Sequence, residues 1–388
     1  MQHPKTMKKI RTLAIATTLM FCATATTAQN TGYDDPVGHT YRSLVYNKGD
    51  FDSQFYRIPA IITLPDGTLV SVADKRINSL NDLPGDIDVV CRRSTDNGRT
   101  WGPYITVAEH DSLGGYGDPA LVRDSRSGDL IVISLNGQGL WGNKPGQISV
   151  SRSTDNGLTW EAPININPQI LTDDPNGKQP VKCEAAFASS GRALQLKNGR
   201  ILFALVTRQK GVEHFPVYAI YSDDSGRTWK ASKNPATLNG DESKMVQLAD
   251  GTVLMSIRNR YSGARKFSIS KDNGTTWEEQ PDYTTLHDVA CNGDIISVRH
   301  NGHDYLLQSL PAGPWRDNIT IYASADNGRT WSDGYRVSAG PGAYSALTQM
   351  ADGSIGVLTE EGVHDVNDRH HQGYRIWFTR IPLESIIK

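Results

Sequence analysis

The sequence predicts an all-β chain folded as a six-bladed β-propeller, and two interleaved repeats carry that prediction. The first is the octapeptide Ser-x-Asp-x-Gly-x-Thr-Trp, found at residues 94–101, 153–160, 222–229, 270–277 and 324–331. The second is a Gly turn running into an apolar strand, at Asp66-Gly67, Ser127-Gly128, Asn198-Gly199, Asp250-Gly251, Asn301-Gly302 and Asp352-Gly353. Each octapeptide reads as a tight hairpin: the Asp accepts from the turn's own N–H groups, and the Gly tolerates positive φ. The steps between Asp96, Asp155, Asp224, Asp272 and Asp326 are 59, 69, 48 and 54 residues. A supersecondary unit of that size marks a propeller or a solenoid.

Six Gly hairpins give six units of about four short strands, with no helical periodicity between them, which selects the propeller. Five hairpins are followed by an octapeptide, while the sixth runs into the C-terminus. The last blade is therefore expected to borrow its closing strand from the N-terminal segment around Tyr41 to Tyr46. Two separate sandwiches are the alternative, but a repeat running through both halves disfavours them. No Pro/Ser linker or low-complexity stretch marks an internal boundary, so one domain is expected from about Tyr33 to Lys388.

Composition narrows the function classes. The 388 residues are 21% charged with a formal net charge of −2, so no nucleic-acid or membrane-surface partner is indicated. Lys8, Lys9 and Arg11 precede an apolar run at residues 13–25, and Ala28-Gln29 follows small residues. That is the pattern of a secretory leader cleaved after Ala28, placing the protein outside the cell or in the periplasm. Phe21 beside Cys22 argues against a lipoprotein signal. Cys91, Cys183 and Cys291 remain after cleavage, too sparse for a disulfide framework and without metal-ligand spacing.

Strand order then locates the chemistry. In an antiparallel blade the start of the inner strand and the end of the second share one face of the disc. The octapeptide turns lie on the other. Positions on the first face read Arg57, Asp118, Glu242 and Tyr344 from inner strands, and Arg76, Arg208, Arg258 and Glu360 from second strands. Several arginines with few lysines suit a planar anion, since each guanidinium fork grips a carboxylate with two bonds. Clustered arginines repel, and Glu360 is placed to hold them when the site is empty.

At these residues the sequence resembles a known family. Tyr56-Arg57-Ile58-Pro59 matches the Arg-Ile-Pro signature of sialidases (exo-α-neuraminidases), and the octapeptides match their Asp boxes. The resemblance covers essentially all of the mature chain. It implies an arginine triad for the sialic acid carboxylate, carried here by Arg57, Arg258 and Arg316, with Arg76 as a further substrate contact. It also implies that Asp118 lines the pocket. The family's nucleophile is a tyrosine before the last hairpin, matching Tyr344, with Glu242 as its partner carboxylate. A phenol, with an ordinary pKa near 10, needs such a base. The acid/base is expected to be an Asp after Arg76; Asp82 is preferred over Asp86, and Asp88 opens an apolar strand.

What the resemblance implies is a retaining exo-α-sialidase acting on sialylated glycans through a tyrosyl intermediate, without cofactor or metal, and expected to be a monomer. The same residues would serve a trans-sialidase or intramolecular trans-sialidase. A non-catalytic sialic-acid lectin would keep the arginines but has no need of Tyr344, Glu242 and Asp82. The His-rich segment from His364 to His371 lacks a fixed ligand spacing and reads as a solvated loop. Trp141, in a Gly-rich loop, reads equally as a sugar platform or a core cover.

Overall fold

The computed structural model describes residues 40–140, 146–171, 181–209, 211, 213–283, 285–362 and 373–388. The expected leader (with Cys22), Trp141 and the His364–His371 segment lie outside them. The described residues belong to one compact unit, almost entirely β, in which six antiparallel sheets stand in a ring.

Blade one runs outward as Phe55–Thr63, Leu69–Arg76, Ile87–Ser94 and Ile105–Ala108. Blade two is Tyr116–Arg123, Leu130–Asn136, Gln147–Ser153 and Ile164–Asn165. Blade three is Ala185–Ala188, Ile201–Arg208, Val217–Ser222 and Lys230–Ala231. Its inner strand is broken: Leu194–Gln195 resumes the pairing, and between the two pieces Gly191–Arg192 pairs in parallel with blade two. Blade four is Ser243–Gln247, Val253–Ile257, Lys266–Ser270 and Glu278–Glu279. Blade five is Asp294–His300, His303–Pro311, Ile319–Ser324 and Tyr335–Arg336. Blade six is Gly342–Gln349, Ile355–Gly362 and Tyr374–Ile381, and Tyr41–Tyr46 adds its outermost strand. The ring is thus closed by pairing Tyr41–Tyr46 with Tyr374–Ile381, which removes the open edge a linear array would leave.

The core is a set of apolar layers between blades, such as Val70, Val72, Leu121, Leu130 and Val132 between blades one and two. The octapeptides explain their own sequence. In each, the Ser hydroxyl donates to the Asp and accepts the Gly N–H, as in Ser94 Oγ to Asp96 Oδ1 at 2.7 Å and Gly98 N to Ser94 Oγ at 2.8 Å. The Asp then accepts both the Thr N–H and the Thr hydroxyl, at 2.9 and 2.6 Å for Thr100. The residue between Asp and Gly also takes positive φ, 61° at Asn97 and 86° at Gly98. Asn fills that position in four copies and Ser in one, consistent with the tolerance of short polar side chains for left-handed backbone.

These turns join third to fourth strands, on the face away from the starts of the inner strands. Asp155→Ala should therefore lower the melting temperature, by the equivalent of about 1 kcal/mol for a lost capping acceptor, and leave the chemistry at the opposite mouth intact. Thermal melts alongside turnover check this, and a variant that melts normally yet reacts poorly would contradict the layout. The hydrogen bonds from Thr159 hold the Asp155 carboxyl down to about 2. A depressed carboxyl contributes stability above its unfolded value near 3.9 that is lost as pH falls through about 2, so the wild-type/variant gap should close over that interval.

Candidate active site

Inner strands must bend to bring side chains over the channel mouth, and three of them do so with bulges. Pairing slips between Arg57 and Ala60 in blade one, Gly117 and Ala120 in blade two, and Gly342 and Ser345 in blade six. Each slip coincides with a residue singled out in the sequence: Arg57, Asp118 and Tyr344. A bulge re-aims a side chain but leaves a backbone N–H without its ladder partner. Here buried carboxylates take those N–H groups. Glu360, 0% exposed, accepts Ile58 N at 2.6 Å and Tyr344 N at 3.0 Å. Asp74 accepts Asp118 N at 3.0 Å.

The same carboxylates hold arginines. Glu360 takes Arg57 by two bonds, from Nε at 3.2 Å and Nη2 at 2.9 Å. Asp74 takes Arg76 from Nε at 3.2 Å and Nη2 at 3.0 Å. Arg76 also reaches Asp82, Nη2 to Oδ1 at 2.8 Å, and donates to the Leu80 carbonyl, which ties down the loop carrying Asp82. Arg316 donates to the Ala290 carbonyl at 2.9 Å.

Tyr344 stands at the centre. Its hydroxyl donates to Glu242 Oε2 at 2.9 Å and receives Arg258 Nη1 at 3.2 Å. Arg258 also bonds Glu242 Oε2 directly. The guanidinium carbon of Arg57 lies 4.9 Å from the Tyr344 ring centroid, and that of Arg316 lies 5.8 Å away. Three guanidinium groups therefore surround one buried phenol.

The electrostatics follow from this crowding. Burial pushes the Tyr344 hydroxyl well above its ordinary value, and Glu242 adds to that against the three arginines. Burial opposes charge on Glu242 as well, but Arg258, Lys244 and the tyrosine hydroxyl outweigh it and hold the carboxyl below its ordinary value. Asp118 is pushed well above the carboxylate range by burial and by Asp74, Asp82 and Glu242. Desolvation acts on Asp82 too, yet Arg76, Arg57 and Arg316 prevail and hold it low.

The cleft enclosed by these groups measures about 240 Å³. Its wall includes Arg57, Asp82, Asp118, Glu242, Arg258, Arg316 and Tyr344, with an apolar side of Leu83, Leu135, Leu140 and Phe187. Arg76 and Glu360 stand behind it. A larger hollow of about 470 Å³ is the other end of the channel, lined by Thr63, Arg123, Arg192 and Gln195 among others; no acid/base pair lines it.

Arg57, Arg76, Asp82, Asp118, Glu242, Arg258, Arg316, Tyr344 and Glu360 gather at one mouth. Of the alternatives, Asp86 accepts from Asn78 at 3.0 Å, and Asp88 is buried against His110 and Lys75. Arg208 sits at the rim, donating to the Leu140 carbonyl at 2.8 Å. Sequence reasoning missed Asp74, Asp241, Arg260 and Lys244. Asp74 and Lys244 had a signal, since each is two residues from a singled-out strand residue and so faces the same side. Among the described residues no cluster of His, Cys, Asp or Glu could hold a metal ion.

Comparison with known proteins bears on the fold and the family. Residues 82–357 match the BNR repeat-like domain family. The chain is 31% identical to a sialidase of Bacteroides fragilis over 89% of its own length and 65% of that protein's. It is 32% identical to a sialidase of Micromonospora viridifaciens over 79% of its length and 50% of that protein's. It therefore spans about two thirds and half of these relatives. The solved structure of a Hadza microbial sialidase superposes with a TM-score of 0.78 at 30% identity, covering 89% of this chain and 69% of that one. Fold and site together define a BNR-repeat propeller with an arginine-lined cleft at one axial mouth. The chain belongs to the sialidase family.

The Glu360 knot generates a stability prediction. Glu360→Gln keeps the shape but leaves Arg57, itself 11% exposed, without its counter-charge. Breaking a buried pair on one side costs about 3–5 kcal/mol, so the urea midpoint should fall by the equivalent of about 3 kcal/mol. A change under about 1 kcal/mol, the range of exposed ion pairs, would show that Glu360 does not organise the mouth.

Proposed function

We propose that this protein is a retaining exo-α-sialidase that releases terminal sialic acid from glycoconjugates through a covalent intermediate on Tyr344. One observation carries the reading: a buried tyrosine hydroxyl, 2.9 Å from a carboxylate, ringed by three arginines. The arginines bind the substrate carboxylate, with Arg57 held in place by Glu360 and Arg76 by Asp74. The anomeric carbon of sialic acid bears that carboxylate, which would repel an anionic Asp or Glu nucleophile; a phenol avoids the repulsion. Tyr344 Oη attacks the anomeric carbon as its proton passes to Glu242 Oε2. The glycosidic oxygen takes a proton from Asp82 and departs. Water then attacks the same carbon, giving its proton to Asp82, and the phenolate recovers its proton from Glu242. Two inversions make net retention.

Asp82 needs a proton to act as acid, and in the unliganded cleft the arginines hold it ionised. The incoming carboxylate cancels part of that positive potential and the sugar ring displaces water, and both raise the affinity of Asp82 for a proton. Asp82 is 78% exposed in the open cleft, so solvent also supplies the proton readily. A second reading makes Asp118 the acid, favoured by its raised carboxyl. Leaving-group dependence separates them. An activated aryl leaving group departs largely unaided, so the variant of the true acid should lose cleavage of sialyl-lactose far more than of an aryl sialoside. We expect that pattern for Asp82→Ala and a uniform loss for Asp118→Ala; the reverse would transfer the role.

Tyr344→Phe should slow both substrates, because one nucleophile serves each. A 3-fluoro sialosyl fluoride should label the peptide containing Tyr344, and time-resolved NMR should show the α-anomer released first. The β-anomer first, or label elsewhere, would remove Tyr344 from the role. Arg57→Lys should cost at least about 2 kcal/mol in kcat/KM, because a point charge cannot reproduce a bidentate fork. The same proposal includes export, favoured by Lys8, Lys9 and Arg11 ahead of the apolar run. Mass spectrometry of the native protein should find Gln29 at its N-terminus.

A further inference from the structure

Below the cleft, the channel contains a lysine that the mechanism above does not use. Lys244 lies two residues after Glu242 at the start of the blade-four inner strand, so both side chains face the channel. It is 1% exposed. An ammonium removed from water is costly unless something compensates it, and among the described residues Lys244 makes one hydrogen bond, Nζ to Asn292 Oδ1 at 2.8 Å. Asn292 Nδ2 donates onward to Glu242 Oε1 at 3.3 Å and to Ser190 Oγ at 3.0 Å. Ser190 Oγ donates to the same Glu242 oxygen at 3.3 Å. The chain Lys244, Asn292, Glu242, Tyr344 is thus continuous.

We propose that Lys244 is a positioning residue for the Glu242–Tyr344 pair, fixing through Asn292 which carboxylate oxygen meets the tyrosine and placing a positive charge behind the carboxylate. The proposal rests on the sialidase reading above. An ammonium only donates and a carboxylate only accepts, so the amide between them has a single orientation. Its Nδ2 and the Ser190 hydroxyl occupy Glu242 Oε1. Oε2 is left to Tyr344 and Arg258. The backbone makes room for this lysine: a Cβ at Gly191, whose φ is 101°, would stand 2.6 Å from Lys244 Cε.

The charges around it are of both signs. Glu242 faces it from its own strand, Asp294 from blade five, Arg192 from the strand bridging blades two and three, and Arg265 from blade four. Arg258, Tyr344, Asp118, Asp241 and Cys291 interact with Glu242 from its other sides. Burial lowers the Lys244 ammonium to about 8 against Glu242 and Asp294, which raise it, while Arg265 and Arg192 lower it further. Glu242 and Asp294 thus favour the charged form that burial opposes. The lysine's charge ranks after that of Arg258 among the influences keeping Glu242 ionised.

Two substitutions separate the charge from the hydrogen bond. Lys244→Met removes both, whereas Lys244→Gln keeps a donor for Asn292 without the charge. In protein carrying 13C-labelled glutamate, with Glu242 assigned through Glu242→Gln, both variants should raise the Glu242 titration by about one pH unit. The acid limb of kcat/KM on an activated aryl sialoside reports the ionisation of the base, so it should move to higher pH by a similar amount. With Lys244→Met, kcat should fall about tenfold while KM stays within about twofold, and Lys244→Gln should lose less. Lys244→Met leaves Asn292 Oδ1 and the Glu242 charge without this partner and should lower stability, Lys244→Gln less so, and thermal melts verify that both variants fold. A lysine that only fills space would lower activity or melting temperature without moving either pH curve. An unchanged Glu242 titration in both variants overturns the proposal. Should the wild type fail to cleave the aryl sialoside, the sialidase reading falls, while the carboxyl titration still decides the coupling.

Discussion

The mouth of this propeller depends on one buried carboxylate. Glu360 accepts four donors: two nitrogens of Arg57 and the N–H groups of Ile58 and Tyr344. It comes from the second strand of blade six, its partners from the inner strands of blades one and six. Those blades are the two ends of the ring, so the residue that orients the first arginine also anchors the closure of the fold beside it. Because the bonds reach the backbone of Tyr344 as well as the side chain of Arg57, arginine and phenol are held in fixed relation. Such preorganisation is what a site acting by electrostatics needs, since it avoids reorganisation when the ligand arrives.

Around that knot the cleft keeps its charges paired in advance. Arg57 is matched by Glu360, Arg76 by Asp74 and Asp82, and Arg258 by Glu242, with Asp241 3.9 Å away. The supporting carboxylates are nearly all buried, while Asp82 is exposed. In the proposed reading an incoming carboxylate would meet arginines held from behind, with Asp82 as the acidic group nearest the surface. Arg258 Nε is buried without a hydrogen-bond partner among the described residues and has the Asp241 carboxylate 3.9 Å away as its nearest counter-charge.

Much of this was legible before any coordinates. The propeller followed from the octapeptides and Gly turns, because a turn that needs positive φ and a side-chain acceptor admits few residues and so leaves a fixed pattern. The face carrying the site followed from strand direction alone, which brought Arg57, Arg258, Glu242, Glu360 and Tyr344 together. Arg316 did not follow from spacing, because it sits on a loop after the second strand of blade five and only the family resemblance reached it. Asp74 had a partial signal, lying two residues before Arg76 and across the ladder from Arg57, but its role was not readable from one strand. Its partners, Arg76 and the Asp118 N–H, come from two blades. The break in the inner strand of blade three left no mark either, since its cause is the pairing of Gly191–Arg192 with a neighbouring sheet.

The two faces of the disc use positive φ in opposite ways. On the hairpin face the left-handed positions are filled by Gly, Asn and Ser, which take that backbone cheaply. At the mouth they include Ile58 at 58° and Asp118 at 55°. For a β-branched residue this is a genuine outlier, costing of order 1–3 kcal/mol. The strain persists because the surroundings over-determine it: Ile58 is 2% exposed, its N–H is taken by Glu360, and Pro59 follows with no N–H to offer the ladder. Relaxing Ile58 into ordinary β backbone would undo the bulge and with it the aim of Arg57. Economical turns at one end of the blades thus support a strained, over-bonded strand start at the other.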